Sequence, residues 1–225
     1  MKLSVVMPVL NEAGHLARSL QVLQRLRQDG VEVIVADGGS TDNTAALARP
    51  LADHLVHAPR GRALQMNAGA QAARGEVLLF LHADTRLPDD APARIEQAMQ
   101  HHAWGRFDVS IEGRSHWLPV VAAMMNLRSR ATGIATGDQA MFVSRAAFEA
   151  AGGFPEQPLM EDIELSRRLK RVGRPACLRA RAFTSGRRWD RHGAWRTILF
   201  MWRLRFDYWR GVPAAQLAAR YYPGA

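Results

Sequence analysis

Acidic residues follow the apolar runs in the first half of the chain, and such carboxylates can accept hydrogen bonds from a ligand. Asp37 ends the apolar run 33–36, and the glycines at 38 and 39 let backbone approach a ligand closely. Glu12 comes shortly after the first apolar run. Because the carboxyl ends of neighbouring parallel strands meet at one crevice, we expect Glu12 and Asp37 to line it together. The alternative for Glu12 is an exposed acid favoured by a helix dipole.

A second pattern suits a divalent cation. The apolar run 77–81 is followed by His82, Ala83 and Asp84. Alternate residues of an extended chain point the same way, so we expect His82 and Asp84 to converge. An imidazole and a carboxylate suit Mg²⁺ or Mn²⁺, which would bridge diphosphate oxygens. Since one carboxylate is a weak site by itself, most of the ligands would come from substrate and water.

Acids also open a helical run in the second half, at residues 160–172. Glu161, Asp162 and Glu164 complement the helix dipole there, which is one interpretation of them. The other is that Glu161 or Asp162 projects inward as a general base. The segment Gly137-Asp138-Gln139 precedes a short strand and by itself indicates only a turn.

Basic residues stand at two places that favour phosphate. Arg60 and Arg62 lie at the start of a helical run over 62–73, where free backbone N–H groups attract anions. Asn67 and Gly69, farther along that run, would shape the base pocket. Arg187 and Arg188 precede Trp189 just before an aromatic helix. The excess of basic residues is concentrated in 167–210, so the chain as a whole indicates an anionic partner.

The elements that must position these residues alternate between strand and helix. Continuous apolar runs at 3–10, 31–36, 54–58 and 77–81 predict buried strands, and 13–28, 41–51 and 62–73 predict the helices between them. Strands without alternation favour a parallel sheet with both faces covered. In the second half we predict strands at 106–112, 140–143 and 176–183, with helices at 117–127, 145–151, 160–172 and 193–210. The pattern predicts one α/β domain over 1–225 in two halves, a nucleotide-type half (1–105) and a mixed half (106–225) that would complete a site.

Composition limits the class of protein. The 225 residues are 48% hydrophobic and 23% charged, with a net charge of +9, as in a globular protein with one core. The lone Cys177 excludes an internal disulfide framework and is typical of a reducing compartment. No apolar stretch approaches ~20 residues and the N-terminal run is broken at Pro8, so we expect neither a transmembrane span nor a signal peptide. We therefore expect a cytoplasmic protein.

Taken in order, these motifs resemble the family 2 glycosyltransferases with the GT-A fold, and the resemblance covers most of the chain. It is strongest for a small bacterial subgroup called selenodomain- or radical-SAM-associated transferase 2. The ordered set is Pro-Val-Leu-Asn-Glu, Asp-Gly-Gly-Ser-Thr-Asp, Gly-Arg-Ala-Leu-Gln-Met-Asn-Ala-Gly, Leu-His-Ala-Asp-Thr, Gly-Asp-Gln, Glu-Asp and Arg-Arg-Trp. Such a set is far more specific than any one of its members.

The resemblance implies roles for sixteen residues. Those implied to hold the base, ribose and the rest of the nucleotide are Pro8, Asn11, Glu12, Asp37, Arg62, Gln65 and Asn67. Asp84 occupies the last position of the family's Asp-x-Asp metal motif, in which His82 replaces the first aspartate. Asp162 corresponds to the catalytic base, with Glu161 beside it. Those implied to contact diphosphate or acceptor are Asp138, Gln139, Arg187, Arg188 and Trp189, the last three in a Gln-x-x-Arg-Trp motif that lacks its glutamine.

The implied reaction is an inverting, metal-assisted transfer of a sugar from a nucleotide-diphosphate sugar, preferably a UDP-sugar, to an acceptor hydroxyl. Asp162 would deprotonate that hydroxyl while Mg²⁺ or Mn²⁺ stabilises the departing diphosphate. The acceptor is not readable from the sequence, and a lipid-linked one would require peripheral contact at the inner face of the membrane.

Three other classes of protein compete with this interpretation. A nucleotidyltransferase shares the architecture, but it would open with a glycine-rich phosphate loop after the first strand. A nucleic-acid-binding module would explain the late basic residues but not carboxylates in a groove, so we expect no nucleic-acid partner. A membrane-binding module is suggested by helix 193–210, whose arginines are interleaved with an apolar stripe, namely Trp195, Ile198, Leu199, Trp202, Phe206 and Trp209. We favour packing of this stripe on the sheet, since a helix that completes a domain needs a buried face.

Overall fold

The computed structural model describes residues 1–222, apart from the side chain of His192. Its strands are β1 (Leu3–Val9), β2 (Glu32–Asp37), β3 (His54–His57), β4 (Val77–Phe80), β5 (Thr85–Arg86), β6 (Trp104–Glu112), β7 (Phe142–Ser144) and β8 (Ala176–Ser185). Its helices are α1 (Ala13–Gln28), α2 (Thr44–Ala48), α3 (Arg62–Ala72), α4 (Ala91–Met99), α5 (Leu118–Thr132), α6 (Arg145–Ala150), α7 (Glu161–Val172), α8 (Arg187–His192), α9 (Ala194–Trp209) and α10 (Ala214–Tyr221).

All eight strands belong to one sheet, in the order β3-β2-β1-β4-β7-β6-β8-β5. β1 pairs in parallel with β2 and β4, β2 with β3, and β6 with β8. β7 runs antiparallel between β4 and β6, and the short β5 runs antiparallel to β8. Two reversals separate β4 from β6, so β1, β2, β4, β6 and β8 all end at the same edge. The prediction of a mostly parallel sheet flanked by helices is confirmed.

Both faces of the sheet are buried, which explains the continuous apolar runs. Alternate residues of β1 separate into two cores: Val5 joins the core that includes the buried face of α1, and Val6 joins the core that includes α3. Helix α3 packs so closely on β1 that a Cβ at Gly69 would lie 2.4 Å from Cγ1 of Val6. The glycine therefore sets the distance between α3 and the sheet.

Several helices differ from their predicted bounds. The helix predicted over 41–51 is limited to α2, because the Asp42 carboxylate accepts the Thr44 N–H at 3.0 Å and delays the start. The helix predicted over 117–127 continues to Thr132 and ends at Gly133, whose φ of 68° is the left-handed conformation that favours glycine. Helices α4, α8 and α10 had no counterpart in the sequence-based prediction. Within residues 1–222, no helix combines the length and the apolar character needed to cross a bilayer.

The packing expected for the apolar stripe of helix 193–210 is wrong. α9 instead buries Ala194, Thr197 and Leu204, and Leu204 packs with Leu217 of α10. Leu199 stays 63% exposed and Trp209 80% exposed. The physical reason is that small residues and Leu204 let α9 pack closely against its neighbours through the other face. Most of the bulky stripe remains on the surface.

Candidate active site

A cavity of about 660 Å³ opens at the edge of the sheet where β1, β4 and β8 end. This is the edge at which open α/β sheets bind their ligands. Helices α5, α7, α8 and α9 and the first residue of α3 supply its other walls. Eleven of the sixteen predicted site residues line the cavity, namely Pro8, Glu12, Arg62, His82, Asp84, Asp138, Glu161, Asp162, Arg187, Arg188 and Trp189.

Asp162 lies in the first turn of α7 and is fixed by a neighbouring loop. Its Oδ2 accepts a 2.9 Å hydrogen bond from the backbone N–H of Gly137, in the turn that precedes β7. Burial raises the pKa of Asp162, although two backbone hydrogen bonds oppose the shift. Burial and the Asp162 charge likewise raise the pKa of Glu161. A positioned carboxylate with a raised pKa has the properties of a general base.

The backbone just before this carboxylate pair is strained. Met160, which caps α7, has a φ of 65°, a conformation that is uncommon for a residue with a side chain. Only Asn11 and Ala140 share a positive φ among the non-glycine residues of the described chain, and they adjoin Glu12 and Gln139. Strain of this kind is held in place by surrounding structure and clusters at functional sites.

Arg62 joins the helix on one side of the cavity to the helix on the other. Its Nη1 lies 3.8 Å from Oε1 of Glu161, so the first residue of α3 pairs with the first residue of α7. Burial disfavours the charged form of Arg62 and acts to lower its pKa. The attraction of Glu161 and other groups outweighs this effect, so the pKa of Arg62 is raised. Arg62 therefore stays cationic in the cavity wall.

His82 pairs with Asp138 across the cavity floor, with 3.3 Å between Nδ1 and Oδ1. Burial acts to raise the pKa of Asp138, but the hydrogen bond and charge of His82 hold that pKa below its ordinary value. Nε2 of His82 is shielded from solvent and has no hydrogen-bond partner among the described residues. It lies against Gly137, where an added Cβ would come within 2.4 Å of it. Nδ1 of the imidazole thus faces Asp138, and Nε2 lies shielded beside the backbone of Gly137.

Asp84, Arg187 and Glu12 form a second charged group at the cavity edge. Nη2 of Arg187 lies 3.3 Å from Oδ2 of Asp84 and 4.0 Å from Oε2 of Glu12. Burial raises the pKa of Glu12, and the charge of Arg187 offsets that shift in part. The pairing of β5 with β8 brings these residues together, since Asp84 directly precedes β5 and Arg187 lies two residues beyond β8.

The donor set at this edge suits a divalent cation that takes most of its ligands from substrate. Within residues 1–222, no three His, Cys, Asp or Glu side chains converge in a manner that would hold a metal ion alone. Mg²⁺ and Mn²⁺ in phosphate sites are commonly held by one or two carboxylates together with phosphate oxygens and water. Asp84 and Glu12 face the same cavity and supply such a carboxylate pair. The donor set therefore fits a divalent cation, and the ligand pair of Asp84 and His82 stays a prediction.

Arg188 and Trp189 extend the cavity along α8. The Arg188 guanidinium lies 3.9 Å from the centre of the Tyr221 ring, a cation–π arrangement. Burial raises the pKa of Tyr221 to about 12, so its hydroxyl stays protonated and able to donate a hydrogen bond. Trp189 packs against the cluster of Val109, Val121 and neighbouring side chains.

The five remaining predicted site residues are not among the residues that line the cavity, and two of them form the loops beside it. Asp37 ends β2, and its carboxylate accepts hydrogen bonds from the backbone N–H groups of Gly39 and Ser40. Asn11 Oδ1 accepts a 2.9 Å hydrogen bond from the Thr41 N–H and so ties the loop after β1 to the loop after β2. Both side chains fix the shape of the edge at which the cavity opens.

The other three hold secondary-structure elements together. Gln65 is buried on α3, and its Nε2 donates to the carbonyls of Val9 and Ala36, at 2.6 and 2.9 Å. Asn67 makes two hydrogen bonds to the backbone of Phe154, one through each atom of its amide. Gln139 is fully buried and accepts the Thr136 N–H at 3.1 Å.

Of the cavity-lining residues that sequence reasoning missed, three stand out for a charge, a backbone conformation or a hydroxyl group. They are Arg128 on α5, Met160 before α7 and Tyr221 at the end of α10. Arg128 stands one residue beyond the predicted end of its helix. Its spacing from Val121 and Met124 continues one helical face, a signal that could have found it. Tyr221 carried no such signal, because no element was predicted over 214–221.

Comparison with known proteins identifies the family. Residues 4–149 match the sequence family described as Glycosyl transferase family 2. A PGL/p-HBAD biosynthesis glycosyltransferase of Mycobacterium bovis is 34% identical over 107 residues, which are 44% of this chain and 42% of that protein. An uncharacterized glycosyltransferase of Nostoc sp. is 33% identical over 91 residues, 37% of this chain and 28% of that protein. The matches thus span less than half the length of these relatives.

Solved structures share the fold at lower identity. A mannosyltransferase from Pyrobaculum calidifontis in complex with GDP-Man and Mn²⁺ superimposes with a TM-score of 0.67 at 23% identity, covering 92% of this chain and 61% of the other. S. aureus TarS 1–349 in complex with UDP-GlcNAc gives a TM-score of 0.63 at 17% identity, covering 82% and 58%. The architecture is thus that of the GT-A glycosyltransferases. With its family match over 146 residues and this fold, the chain belongs to glycosyl transferase family 2.

Proposed function

We propose that the protein transfers a sugar from a nucleotide-diphosphate sugar to an acceptor hydroxyl, with inversion at the anomeric carbon. The observation that carries this proposal is that Asp84 and Asp162, 78 positions apart in the chain, line one cavity together with arginines from α3 and α8. The neighbours crystallised with GDP-Man and UDP-GlcNAc support a nucleotide sugar as donor. A UDP-sugar is our preferred donor.

The donor is assigned to the edge formed by residues 1–105, and the acceptor and the base to residues 106–225. Pro8, Glu12 and Arg62 contact the nucleotide, while Arg187 and Arg188 neutralise its diphosphate. Asn11, Asp37, Gln65 and Asn67 shape this edge through the loops and helix that they hold. His82 acts through Asp138 as a positioning residue, and Gln139 fixes the turn that carries both Gly137 and Asp138.

Asp162 is the general base. It accepts the proton of the acceptor hydroxyl as the oxygen attacks the anomeric carbon, and the bond from that carbon to the diphosphate oxygen breaks on the opposite side. The Gly137 N–H holds the carboxylate in place for this step, and Glu161 remains paired with Arg62. We assign a divalent cation to Asp84 and Glu12 rather than to His82, and when bound it would supply positive charge for the departing diphosphate.

Peripheral contact with the inner face of the membrane, from the cytoplasm, is a further part of the proposal. The exposed stripe of α9 and the exposed residues Trp117, Val120, Met124 and Leu127 of α5 give an apolar surface. Trp117 and Trp195 pack edge to face at 4.8 Å and connect the two helices. Exposed arginines at 196, 203 and 210 flank this surface and complement anionic lipid.

Replacement of the base tests the proposal. Asp162→Asn keeps the shape of the side chain and an oxygen for the Gly137 N–H, but it removes the proton acceptor. Transfer should fall about 10²–10⁴-fold, while binding of UDP with Mn²⁺, measured by thermal shift, stays within a few-fold of wild type. Glu164→Gln, on the outer side of the same helix turn, is the matched control. Wild-type rates in the Asp162 variant, or a wild-type protein whose melting temperature does not respond to any nucleotide diphosphate, would overturn the assignment.

A further inference from the structure

Two helices form a cavity wall that the donor and the base do not use. The residues of α5 and α9 in this wall recur at helical spacing: Val121, Met124, Met125 and Arg128 on α5, and Thr197, Ile198, Met201, Trp202 and Arg205 on α9. We call this set the α5–α9 wall. In each helix the apolar residues come first and an arginine closes the run. The wall therefore combines an apolar surface with two cationic groups.

Within residues 1–222, the guanidinium of Arg128 lacks hydrogen-bond partners on two of its nitrogens. Its Nε and Nη2 are shielded from solvent and have no hydrogen-bond partner among the described residues. Burial lowers the pKa of Arg128, and the charge of Asp162 opposes that shift only in part. A shielded guanidinium without partners is costly, and anionic oxygens are the groups that restore its hydrogen bonds.

The cationic groups of the cavity outside the α5–α9 wall already have partners within the protein. Arg62 pairs with Glu161, Arg187 with Asp84, and His82 with Asp138. Arg188 stacks on Tyr221 beside the diphosphate position assigned above. Within residues 1–222, neither Arg128 nor Arg205 forms an ion pair, and both belong to the α5–α9 wall. The wall can therefore neutralise a second anion in addition to the donor diphosphate.

The apolar part of the wall continues to the outside of the molecule. Met124 and Trp202 line the cavity, yet they are 47% and 56% exposed. Both belong to the exposed apolar surface that Trp117 and Trp195 connect. An apolar chain lying on this surface can thus enter the cavity without crossing a polar rim at these two residues.

Building on the proposed function, we propose that the acceptor is a lipid with a phosphate-type anion, and that the α5–α9 wall is its binding site. The anion pairs with Arg128 and Arg205, and the hydrocarbon chain lies along Met124, Met125, Met201 and Trp202. The acceptor hydroxyl is thereby held on the side of the cavity where Asp162 lies. A bilayer supplies such a molecule directly to the exposed surface, whereas a small soluble phosphate ester would leave the apolar part of the wall without a partner.

Binding of short analogues below their micelle concentration tests this inference. Decyl phosphate carries both the chain and the anion, decyl glucoside carries only the chain, and glycerol phosphate carries only the anion. Affinities are measured from the change in tryptophan fluorescence, to which Trp189 and Trp202 contribute, and from calorimetry. We expect decyl phosphate to bind at least about tenfold more tightly than either partial analogue, because only it satisfies both the apolar and the cationic groups of the wall.

Matched variants separate the wall from the rest of the protein. Arg128→Gln should weaken decyl phosphate binding about tenfold or more, and Arg128→Lys and Arg205→Gln should weaken it less. Arg25→Gln, at an exposed position of α1 outside the cavity, should have no effect. Binding of UDP with Mn²⁺ is followed by thermal shift in the same samples.

Two outcomes with intact donor binding would show that the inference is wrong while the proposed function stands. In one, decyl phosphate binds the wild type no better than decyl glucoside does; in the other, it binds Arg128→Gln as tightly as it binds the wild type. Glycerol phosphate binding as tightly as decyl phosphate would overturn a lipid acceptor in favour of a soluble one. Loss of donor binding in the wild type would instead count against the proposed function itself.

Discussion

Arg187 lies 3.3 Å from Asp84, and the two residues come from opposite halves of the chain. Both side chains are partly exposed to the cavity, so their attraction adds little to the stability of the fold. Its importance is functional, because the guanidinium lies at the carboxylates that we assign to a divalent cation. In the nucleotide-free protein, the arginine and a cation therefore compete for Asp84 and Glu12. A diphosphate relieves this competition, since it provides oxygens for both.

The first prediction concerns this competition. Arg187→Gln should tighten Mn²⁺ binding to the nucleotide-free protein several-fold, because two carboxylates lose a competing cation. The same substitution should weaken UDP about tenfold, because a charge-assisted hydrogen bond to the diphosphate is lost. Titration of Mn²⁺ followed by electron paramagnetic resonance, and of UDP by calorimetry, measures the two effects. Arg191→Gln on the same helix is the control. Parallel weakening of both ligands would show that Arg187 organises the site rather than competing in it.

A second prediction follows from the raised pKa of Asp162. A carboxylate whose pKa is higher in the folded state than in the unfolded chain destabilises the fold when it ionises. This penalty is absent below the ordinary carboxyl pKa of 3.8, grows as the pH rises through the folded-state value, and is complete above it. Asp162→Asn should therefore melt at a higher temperature than wild type near pH 7.5, and the difference should disappear near pH 4. Asp89→Asn, at an exposed position, is the control. A lower melting temperature for Asp162→Asn at neutral pH would contradict the prediction.

A third prediction concerns Gln65, which supports the candidate site through buried hydrogen bonds without lining the cavity. Gln65 is buried, and its amide bonds the carbonyls of Val9 and Ala36 at the ends of β1 and β2. Gln65→Leu removes a buried donor from both carbonyls, of which Val9 still accepts the Gly38 N–H at 3.0 Å, so the free energy of unfolding should drop by on the order of 1–3 kcal/mol. Urea denaturation measures this loss. The exposed Gln71→Leu, on the same helix, should be close to neutral. Equal stability of the two variants would mean that the buried amide bonds contribute nothing net.

A fourth prediction concerns the exposed aromatic surface. Wild-type protein should sediment with phosphatidylglycerol liposomes at low salt and much less with phosphatidylcholine liposomes, because arginines flank the surface. Replacement of both Trp195 and Trp209 by Ser should abolish most of this binding. Val22→Ser removes an exposed apolar residue on the distant helix α1 and should have no effect. Dimerisation of the wild type through this surface, seen as a concentration-dependent mass that the double variant lacks, would identify a protein partner instead.

The fold was predictable from sequence where local pattern and global topology agree. The runs 31–36 and 77–81 lack alternation because both sheet faces are covered, and they end at polar residues because ligand sites form at the carboxyl edge. The prediction of a family 2 glycosyltransferase with the GT-A fold is confirmed. The subgroup stays a prediction.

Sequence spacing could not predict which side chains reach the cavity or which face of α9 is buried, because both depend on tertiary contacts. Gln65 and Asn67 stand in the same motif as Arg62, but α3 carries Gln65 one turn farther on, where it is buried against the ends of β1 and β2, and directs Asn67 toward Phe154. Arg62 accordingly reaches the cavity, whereas the two amides bond backbone. The apolar stripe of α9 has the periodicity of a buried face, but the buried face is the one with Ala194 and Leu204. Periodicity shows that a helix has an apolar side, and tertiary packing decides what covers it.

The two-residue strand β5 has a consequence for engineering this enzyme. It pairs with β8 through Thr85 and Thr184, and this pairing holds together the two segments that carry Asp84 and Arg187. A chimaera that exchanges α5, or the C-terminal helices beyond position 193, with those of a relative would keep this pairing intact and would replace the acceptor wall proposed above. A crossover between residues 85 and 184 that replaces only one of the two strands would break the pairing. On the proposed assignment, we expect acceptor preference to transfer with the helices, and donor binding to require β5 and β8 from the same parent.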